Sequence, residues 1–356
     1  MDKQIDFLAI GDIVTDAFIK LKDAEVLDTH KVDHIERELC VRFGDKVPYE
    51  DVNIVRAVGN SANAAVAASR LGLRSALMAV VGDDEEGKKC LEVLKNENVL
   101  TDYMETDKNL PTNYHYVLCY GVERTILVKH SPFERHMRDV TPPKWIYLSS
   151  LASNTEAFHQ EIANWIKNHP ETKLAFQPGT FQMKLGIDKL KDIYAITEIF
   201  FCNLEEAQKI LNSQSKDILD LSKGLQTLGP KMVSISDGPN GAYLYVNEEL
   251  WQIPIYPDVA DPVDRTGAGD AFSSTITAGL TLGLKPEEAL TWGPINSMSV
   301  VEAIGAQKGL LSKEKILEYL SKAPAEYKAN NLKNVFYSFL FSPHYPLYCF
   351  YNSLFI

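Results

Sequence analysis

Short apolar runs recur along this chain, with stretches of helical periodicity between many of them. The apolar runs are Asp6–Ile10, Ser75–Val81, Trp145–Ser149, Lys173–Phe176, Glu198–Cys202 and Lys231–Ile235. The stretches with helical periodicity are Ser61–Leu73, Glu85–Asn98, Thr155–Asn168, Glu205–Leu211 and Ile218–Leu228. Short, continuously apolar runs are typical of strands buried on both faces of a parallel sheet. Strands that alternate with helices build right-handed βαβ units. We therefore predict an α/β fold, a doubly wound and mostly parallel sheet flanked by helices.

Two segments interrupt this alternation and show apolar residues at every second position instead. Residues 17–57 contain Ala17–Lys22 and Glu38–Phe43, and residues 112–130 contain Thr112-Asn-Tyr-His-Tyr-Val-Leu118. A period of two is typical of half-exposed antiparallel strands. Doubly wound folds bind ligands at the carboxyl edge of the parallel strands. We expect both segments to form one small β-sheet lid over that edge.

Composition and charge narrow the classes of partner. The chain has 356 residues and a formal net charge of −12, with its Lys and Arg residues dispersed, which argues against nucleic acid or an anionic membrane as a partner. The five cysteines are far apart and lack Cys-x-x-Cys spacing, so we expect them to be reduced. The sequence shows no signal peptide and no apolar run long enough to span a bilayer. These features predict a cytoplasmic protein.

The C-terminal tail differs in composition from the rest of the chain. Residues 1–325 are predicted to form one domain with the lid strands inserted, and residues 326–356 form a tail. Nine of the last 21 residues, from Phe336 to Ile356, are aromatic, and few charges accompany them. A docked C-terminal segment, an interaction motif and a sequence without selected structure all remain possible explanations of this tail.

A glycine-rich turn precedes another helical stretch near residue 270. Gly267, Ala268 and Gly269 can point successive N–H groups at one spot, and such groups at a helix N-terminus bind phosphate. Asp270 follows directly and could accept a proton from an attacking hydroxyl group. The alternative is an ordinary loop followed by an Asp helix cap. The chain has neither a Walker A motif nor a Gly-x-Gly-x-x-Gly after its first strand. The pairing of anion turn and acid predicts a kinase that acts on an alcohol.

The segment Asp264-Arg-Thr-Gly-Ala-Gly-Asp-Ala-Phe272 resembles the C-terminal signature of the ribokinase-like (phosphofructokinase B) carbohydrate kinases. Five further motifs agree with that family in order and spacing: Gly11-Asp-Ile-Val-Thr-Asp16, Val58-Gly-Asn-Ser-Ala-Asn-Ala-Ala-Val66, Gly82-Asp-Asp-Glu-Glu-Gly87, Asn203-Leu-Glu-Glu206 and Ser236-Asp-Gly-Pro-Asn-Gly241. The resemblance covers residues 5–322. One departure is Val58, which stands where the family has the first glycine of its sugar-binding turn.

The resemblance implies roles for individual residues on the acceptor side. Asp270 is the expected general base, and the amides of Gly267, Ala268 and Gly269 are expected to hold the transferring phosphoryl group. The expected contacts to the acceptor are Asp16, Gly59, Asn60, Asn63, Asn113 and Arg124. Arg124 could equally be a solvated residue at the rim of the lid. Asp12 is expected to cap local backbone instead of binding substrate.

On the donor side, the resemblance implies ATP and Mg²⁺. The expected nucleotide-binding residues are Asn203, Ser236, Gly238, Gly241, Thr266 and Asn296. Glu206 is expected to hold Mg²⁺ through water, although Asn203 and Glu206 would also form an ordinary helix cap. Asp264 and Thr266 are expected to bind a monovalent cation such as K⁺, or else only to stabilise their turn.

These motifs leave several functions open. The first is ATP-dependent phosphorylation of a hydroxymethyl or other alcohol group on a small sugar or sugar derivative. The second is a nucleoside kinase of the same family, in which Tyr114, Tyr116 and Phe43 could stack on a base. The third is a non-catalytic sensor of sugar or nucleotide. A homodimer formed through the lid is a further expectation from the resemblance.

Overall fold

The computed structural model describes residues 4–30, 35–121 and 123–332. Its strands are β1 (Phe7–Ile10), β2 (Val14–Leu21), β3 (Glu25–His30), β4 (Ile35–Cys40), β5 (Tyr49–Val58), β6 (Ser75–Met78), β7 (Val80–Gly82), β8 (Glu105–Asp107), β9 (Tyr114–Tyr120), β10 (Glu123–Leu127), β11 (Trp145–Leu148), β12 (Lys173–Phe176), β13 (Thr197–Asn203), β14 (Met232–Ser236), β15 (Ala242–Val246), β16 (Glu249–Ile253) and β17 (Asn330–Asn331). Its α-helices are α1 (Asn60–Arg70), α2 (Glu85–Asn96), α3 (Glu156–Asn168), α4 (Thr180–Leu185), α5 (Ile187–Ile196), α6 (Leu204–Leu211), α7 (Ile218–Gln226), α8 (Ala268–Thr281), α9 (Pro286–Val300) and α10 (Lys313–Ser321).

The main sheet has nine strands in the order β17-β16-β15-β14-β13-β12-β11-β1-β6. The strands from β6 to β14 in this order pair in parallel, and β15, β16 and β17 extend the sheet antiparallel. All six predicted strands lie in the parallel part, so the predicted doubly wound fold is confirmed. One predicted run is divided: Ser75–Met78 joins the main sheet, whereas Val80–Gly82 pairs with β8 in a separate two-stranded sheet.

Apolar layers cover both faces of this sheet. In β1, Phe7 and Ala9 belong to one buried cluster and Leu8 and Ile10 to the other, and none of the four is exposed. Helices α1, α8 and α9 pack on the first face, and α3, α5 and α7 pack on the second. A strand buried on both faces needs apolar side chains at every position, which explains why these strands appear in the sequence as continuous apolar runs.

The lid is a four-stranded sheet in the order β10-β9-β2-β5. The prediction that both inserted segments would share one sheet is therefore confirmed for these strands. The predicted strand Glu38–Phe43 is only partly correct, because β4 ends at Cys40 and pairs with β3 in a separate hairpin. Strand β5 was not predicted, since its first half carries charged and polar residues that obscure the alternation.

Most of the predicted tail cannot be compared with the structure, because residues 333–356 lie outside the described residues. Within the described part, Asn330–Asn331 pairs with β16 as strand β17, so the chain just beyond residue 325 belongs to the main sheet. The four cysteines of the described ranges form no disulfide. Among the helices described, none is long and apolar enough to cross a membrane.

Candidate active site

The predicted phosphate-binding turn leads directly into helix α8. Gly267 precedes the helix with a φ of 83° and a ψ of 0°, a left-handed conformation that glycine adopts without steric cost. A Cβ atom on Gly267 would lie 2.7 Å from Cα of Ala306, so no side chain fits there. The N–H groups of Ala268, Gly269 and Asp270 have no carbonyl partner within the helix and lie at the positive end of its dipole. The geometry therefore fits an anion-binding turn.

Asp270 lies in the first turn of α8, where amide side chains from distant parts of the chain hold its carboxylate. Nδ2 of Asn60 donates to Oδ1 at 2.7 Å, and Nδ2 of Asn63 donates to Oδ2 at 2.8 Å. Nε2 of Gln177 donates to Oδ1 at 3.3 Å. Burial raises the pKa of Asp270, and the three amide donors act in the opposite direction. The predicted base is therefore buried among polar donors that stabilise its ionised form.

Gln177 was not among the predicted site residues. It follows strand β12, at the carboxyl edge of the sheet, and its Oε1 accepts hydrogen bonds from the hydroxyl groups of Tyr147 and Ser273. These hydroxyl donors orient the amide so that its NH₂ group faces Asp270. Its position immediately after a buried parallel strand is the signal that could have identified it.

The predicted acceptor residues Asp16 and Gly59 lie close to the corner between β1 and β2. Asp16 is on the inner face of the lid, opposite His115 of β9 in the strand register. Gly59 has a φ of 108°, and a Cβ atom on it would lie 2.8 Å from the carbonyl oxygen of Asp12. Because Gly59 immediately precedes Asn60, this close approach brings the corner near the residues that hold Asp270.

Asn113, an expected acceptor contact, and Asp12, an expected backbone cap, both hold the backbone of the same corner in place. Asn113 is buried, its Nδ2 donates to the carbonyl of Ile13 at 3.1 Å, and its Oδ1 accepts the N–H of Ser131 at 2.8 Å. Its side chain therefore joins backbone segments. Asp12 accepts the N–H of Ala152 at 2.9 Å, as expected for a backbone cap, but it also forms a buried ion pair with Arg135 at 2.6 Å.

Arg124 of the lid contacts the loop that precedes the anion turn. Its Nη1 lies 3.1 Å from Oδ1 of Asp264. The same oxygen accepts hydrogen bonds from the N–H and hydroxyl groups of Thr266, and Oδ2 accepts the N–H of Gly305 at 3.0 Å. A guanidinium group and three hydrogen-bond donors thus surround this carboxylate. The hydroxyl group of Thr266 is thus bound to Asp264, and Arg124 is bound to this loop.

A cavity of about 410 Å³ adjoins the anion turn. Ala268 and Gly269 form one wall, so the cavity is continuous with the N-terminus of α8. Its other walls include Ser236, Gly238, Gly241, Tyr256, Phe272 and Pro294. Three predicted nucleotide residues, Ser236, Gly238 and Gly241, thus meet at one cavity. Its size fits a nucleoside-sized ligand.

The side chain of Asn296 does not line that cavity. It is fully buried, its Nδ2 donates to Thr275 at 2.7 Å, and its Oδ1 accepts the N–H of Leu311 at 2.9 Å. Asn296 therefore cross-links α8 to the segment after α9. Its neighbours Ser297 and Met298 reach the cavity instead.

Asn203 and Glu206 form a reciprocal cap at the start of α6. Oδ1 of Asn203 accepts the N–H of Glu206 at 2.8 Å, and Oε2 of Glu206 accepts the N–H of Asn203 at 2.9 Å. Burial raises the pKa of Glu206, the hydrogen bond from Asn203 lowers it, and the nearby charge of Asp270 raises it further. A partly desolvated carboxylate in the electric field of another carboxylate is a favourable place for a hydrated cation.

Comparison with known proteins agrees with this geometry. Residues 23–313 match the family model described as pfkB family carbohydrate kinase. A ribokinase of Bacillus subtilis is 27% identical over 274 residues, which cover 74% of this chain and 87% of that protein. A nucleoside kinase of Methanothermobacter thermautotrophicus is 28% identical over 220 residues, or 60% of this chain and 68% of that protein.

The fold is also similar to that of a solved kinase structure. The solved structure of Arabidopsis thaliana ribokinase complexed with ribose and ATP aligns with a TM-score of 0.73 and 18% identity, covering 89% of this chain and 99% of that one. At this identity the alignment shows a shared fold. The family match spans most of the chain, including the anion turn and Asp270. The protein therefore belongs to the pfkB family of carbohydrate kinases and is an ATP-dependent phosphotransferase.

Proposed function

We propose that this kinase transfers the γ-phosphoryl group of ATP to a hydroxymethyl or other alcohol group of a small sugar, with Asp270 as the general base. One observation carries the proposal. The same helix N-terminus presents the anion turn to a nucleoside-sized cavity and holds the Asp270 carboxylate in a ring of amide donors. A base and an electrophile site are thus adjacent, which is what alcohol phosphorylation requires.

In this mechanism Asp270 accepts the proton of the attacking hydroxyl group. Asn60, Asn63 and Gln177 fix the orientation of the carboxylate and keep it ionised. The N–H groups of the turn from Gly267 to Gly269 would accept the charge of the transferring phosphoryl group. Each fixed donor of this kind typically contributes about 2.7–4 kcal/mol to stabilising a transition state.

The cavity would hold the nucleoside part of ATP. Gly241 lines this cavity, and its φ of 87° and the close approach of Pro254 leave no room for a side chain at this position. Mg²⁺ would neutralise the phosphates, and Glu206 is the residue best placed to hold it through water, since the helix cap engages only its Oε2. Within the three described ranges, no cluster of His, Cys, Asp or Glu side chains could bind a metal ion directly, which agrees with an indirect contact.

A monovalent cation at Asp264 and Thr266 does not fit the donor set. The charge of the Asp264 carboxylate is already met by Arg124, and its oxygens accept hydrogen bonds from Thr266 and Gly305. A K⁺ ion would have to displace the guanidinium group to reach this carboxylate. We therefore include no K⁺ in the proposed mechanism.

Among acceptors, a sugar is favoured over a nucleoside by the lid. Tyr114 and Tyr116 flank His115 in β9, so they face away from Asp16, and their rings contact each other at 5.2 Å. Phe43 is fully exposed. The two tyrosines that could have stacked on a base therefore lie on the face of the lid opposite Asp16. Family membership also disfavours the hypothesis of a non-catalytic sensor.

A panel assay tests the proposal. Release of ADP from Mg²⁺–ATP would be measured with neutral sugars, sugar acids and nucleosides, for the wild-type protein and for Asp270→Asn. We expect turnover with at least one neutral sugar and its loss in the variant. Turnover that is confined to nucleosides would select the second function, and turnover with no alcohol at all would refute both.

The outer face of the lid supports the further proposal of a homodimer. Val52, Ile54, Tyr116 and Leu127 are each at least 40% exposed and lie on strands β5, β9 and β10 of the lid sheet. An apolar patch of this kind is typical of a surface that another protein covers. Light scattering of the wild-type protein and of Ile54→Lys would test whether a second copy covers it.

A further inference from the structure

Within the described part of the chain, three polar atoms below the lid are buried without a hydrogen-bond partner. They are Oδ1 of Asp16, Nε2 of His115 and Nδ1 of His130. Buried polar atoms are normally hydrogen-bonded, and each exception needs an explanation. Three exceptions within one contiguous group indicate that a ligand completes the hydrogen bonding.

The three side chains form a continuous group. Nδ1 of His115 lies 3.3 Å from Oδ1 of Asp16 but is not aligned for a hydrogen bond. The ring centroids of His115 and His130 are 5.1 Å apart, and those of His130 and Phe181 are 5.7 Å apart in a T-shaped arrangement. Nδ1 of His130 lies 3.3 Å from Oδ2 of Asp12, again without hydrogen-bond alignment.

This group is connected to the residues that hold the base. The hydroxyl group of Ser61 donates to the carbonyl of Asp12 at 3.1 Å, which ties the corner between β1 and β2 to helix α1. The neighbouring residues Asn60 and Asn63 on α1 bind both oxygens of Asp270. The corner that carries Asp12 and the carboxylate of Asp270 are therefore both attached to the first turn of α1.

The charges around this group disfavour an anionic ligand. The guanidinium group of Arg135 is buried against Asp12 at 2.6 Å. Arg124 lies on the same face of the lid as His115, but it already pairs with Asp264 at 3.1 Å. A carboxylate or phosphate on the ligand would therefore have to compete with an existing carboxylate partner and face Asp16 as well.

We propose that His115 and His130 are specificity-determining residues that, with Asp16, bind the hydroxyl groups of an uncharged polyol and exclude sugar acids and sugar phosphates. Hydroxyl groups both donate and accept, so one polyol can supply a donor to Asp16 and partners of either kind to the two imidazoles. This inference rests on the proposed kinase function, because it defines the acceptor of that reaction.

The first experiment compares substitutions that keep a ring but remove the polar atoms. His115→Phe and His130→Phe would be assayed with D-ribose and D-fructose as probes. We expect the acceptor KM to rise by about 10- to 100-fold, because a hydroxyl group of the bound acceptor loses its hydrogen-bond partner. The kcat should stay within about threefold of the wild-type value, and the KM for ATP should not change. His115→Gln, whose amide can reach the position of Nε2, should restore part of the affinity.

A stability measurement separates this role from a structural one. Since Nε2 of His115 and Nδ1 of His130 have no hydrogen-bond partner among the described residues, neither Phe variant should markedly lower the melting temperature in the absence of sugar. The matched control is His136→Asn, an exposed histidine beside Glu161, which should change neither property. A lower melting temperature with an unchanged acceptor KM would overturn the proposal, as would an unchanged KM in both Phe variants.

The second experiment tests charge selection. D-ribonate and D-gluconate keep a terminal hydroxymethyl group but carry a carboxylate, and we expect their kcat/KM to be at least about 100-fold lower than that of the best neutral sugar. Equal turnover of acids and neutral sugars would overturn the proposal. If no sugar supports ADP release, the kinase proposal fails, and the role of His115 and His130 is then tested by calorimetry. Binding of D-ribose, D-fructose and D-ribonate would be measured for the wild-type protein and for His115→Phe. Selective binding of a neutral sugar that is lost in the variant supports the role of these histidines, and any other result refutes it.

Discussion

Nδ2 of Asn60 donates a 2.7 Å hydrogen bond to Oδ1 of Asp270, although the two residues are 210 positions apart in the chain. Asn60 begins helix α1, and Asp270 lies in the first turn of helix α8. The contact joins the substrate side of the domain to the anion turn. It also acts on the chemistry, because it stabilises the ionised form of the proposed base.

Removal of this donor should shift the pH dependence of the enzyme. A general base works only when ionised, so kcat/KM rises with pH through the pKa of Asp270. Asn60→Ala removes an interaction that lowers this pKa, and the acid limb of the profile should move to higher pH by about one unit. Asn164→Ala, an exposed substitution in α3, is the control. A shift in the opposite direction would contradict the assigned role.

Gln177 offers a test with an isosteric change. Gln177→Glu would place a carboxylate oxygen where Nε2 of Gln177 now lies, 3.3 Å from Oδ1 of Asp270. A like charge raises the pKa of a carboxyl group, so the acid limb should move upward by more than about one pH unit, further than in Gln177→Met, which only removes the donor. Measured pH–rate profiles of both variants that coincide with that of the wild-type protein would show that Gln177 does not act on Asp270.

The two glycines of the anion turn should tolerate alanine very differently. Gly267→Ala would force a left-handed backbone onto a residue that also overlaps Ala306, and should lower the free energy of unfolding by at least about 2 kcal/mol. Gly269→Ala meets only Nε2 of Gln177, at 3.8 Å. Denaturant unfolding should show Gly269→Ala to be at least as stable as wild type, with its effect confined to a higher KM for ATP. Equal destabilisation of both variants would contradict the described turn.

The pair Arg124–Asp264 predicts how the enzyme responds to K⁺. Titration of wild-type activity with K⁺ at constant ionic strength should give a flat response, because the guanidinium group already pairs with the carboxylate. Arg124→Ala should lower kcat/KM by no more than about fivefold, as expected for a partly exposed ion pair, and K⁺ should restore part of that loss. Strong activation of the wild-type enzyme by K⁺ would show that the cation displaces Arg124.

The parts of the fold and site that follow from the sequence are those encoded locally. Buried parallel strands such as Trp145–Leu148 are continuous apolar runs, and Gly267 to Asp270 is a short motif whose chemistry depends on adjacent residues. Strand β5 escaped prediction because its polar first half lies on an exposed lid. Its pairing with β2 provides the order that the segment itself does not specify.

The residues that were missed or placed differently depend on contacts between distant segments. Arg135 belongs to the site only because it meets Asp12, 123 positions away. His115 and His130 become notable only through the absence of partners for their buried nitrogens. Conversely, Asn113 resembles a ligand-binding amide in the sequence, but in the structure its donors and acceptors bind backbone groups.

The most direct test of the account is the steady-state kinetics of Asp270→Asn with the best acceptor from the sugar panel. Loss of the general base should lower kcat by about 10²- to 10⁴-fold and leave the affinity for ATP nearly unchanged. Asp220→Asn, an exposed change in α7, should behave as wild type. A variant at position 270 that folds normally and keeps the wild-type kcat would show that this carboxylate does not accept the proton of the acceptor hydroxyl group.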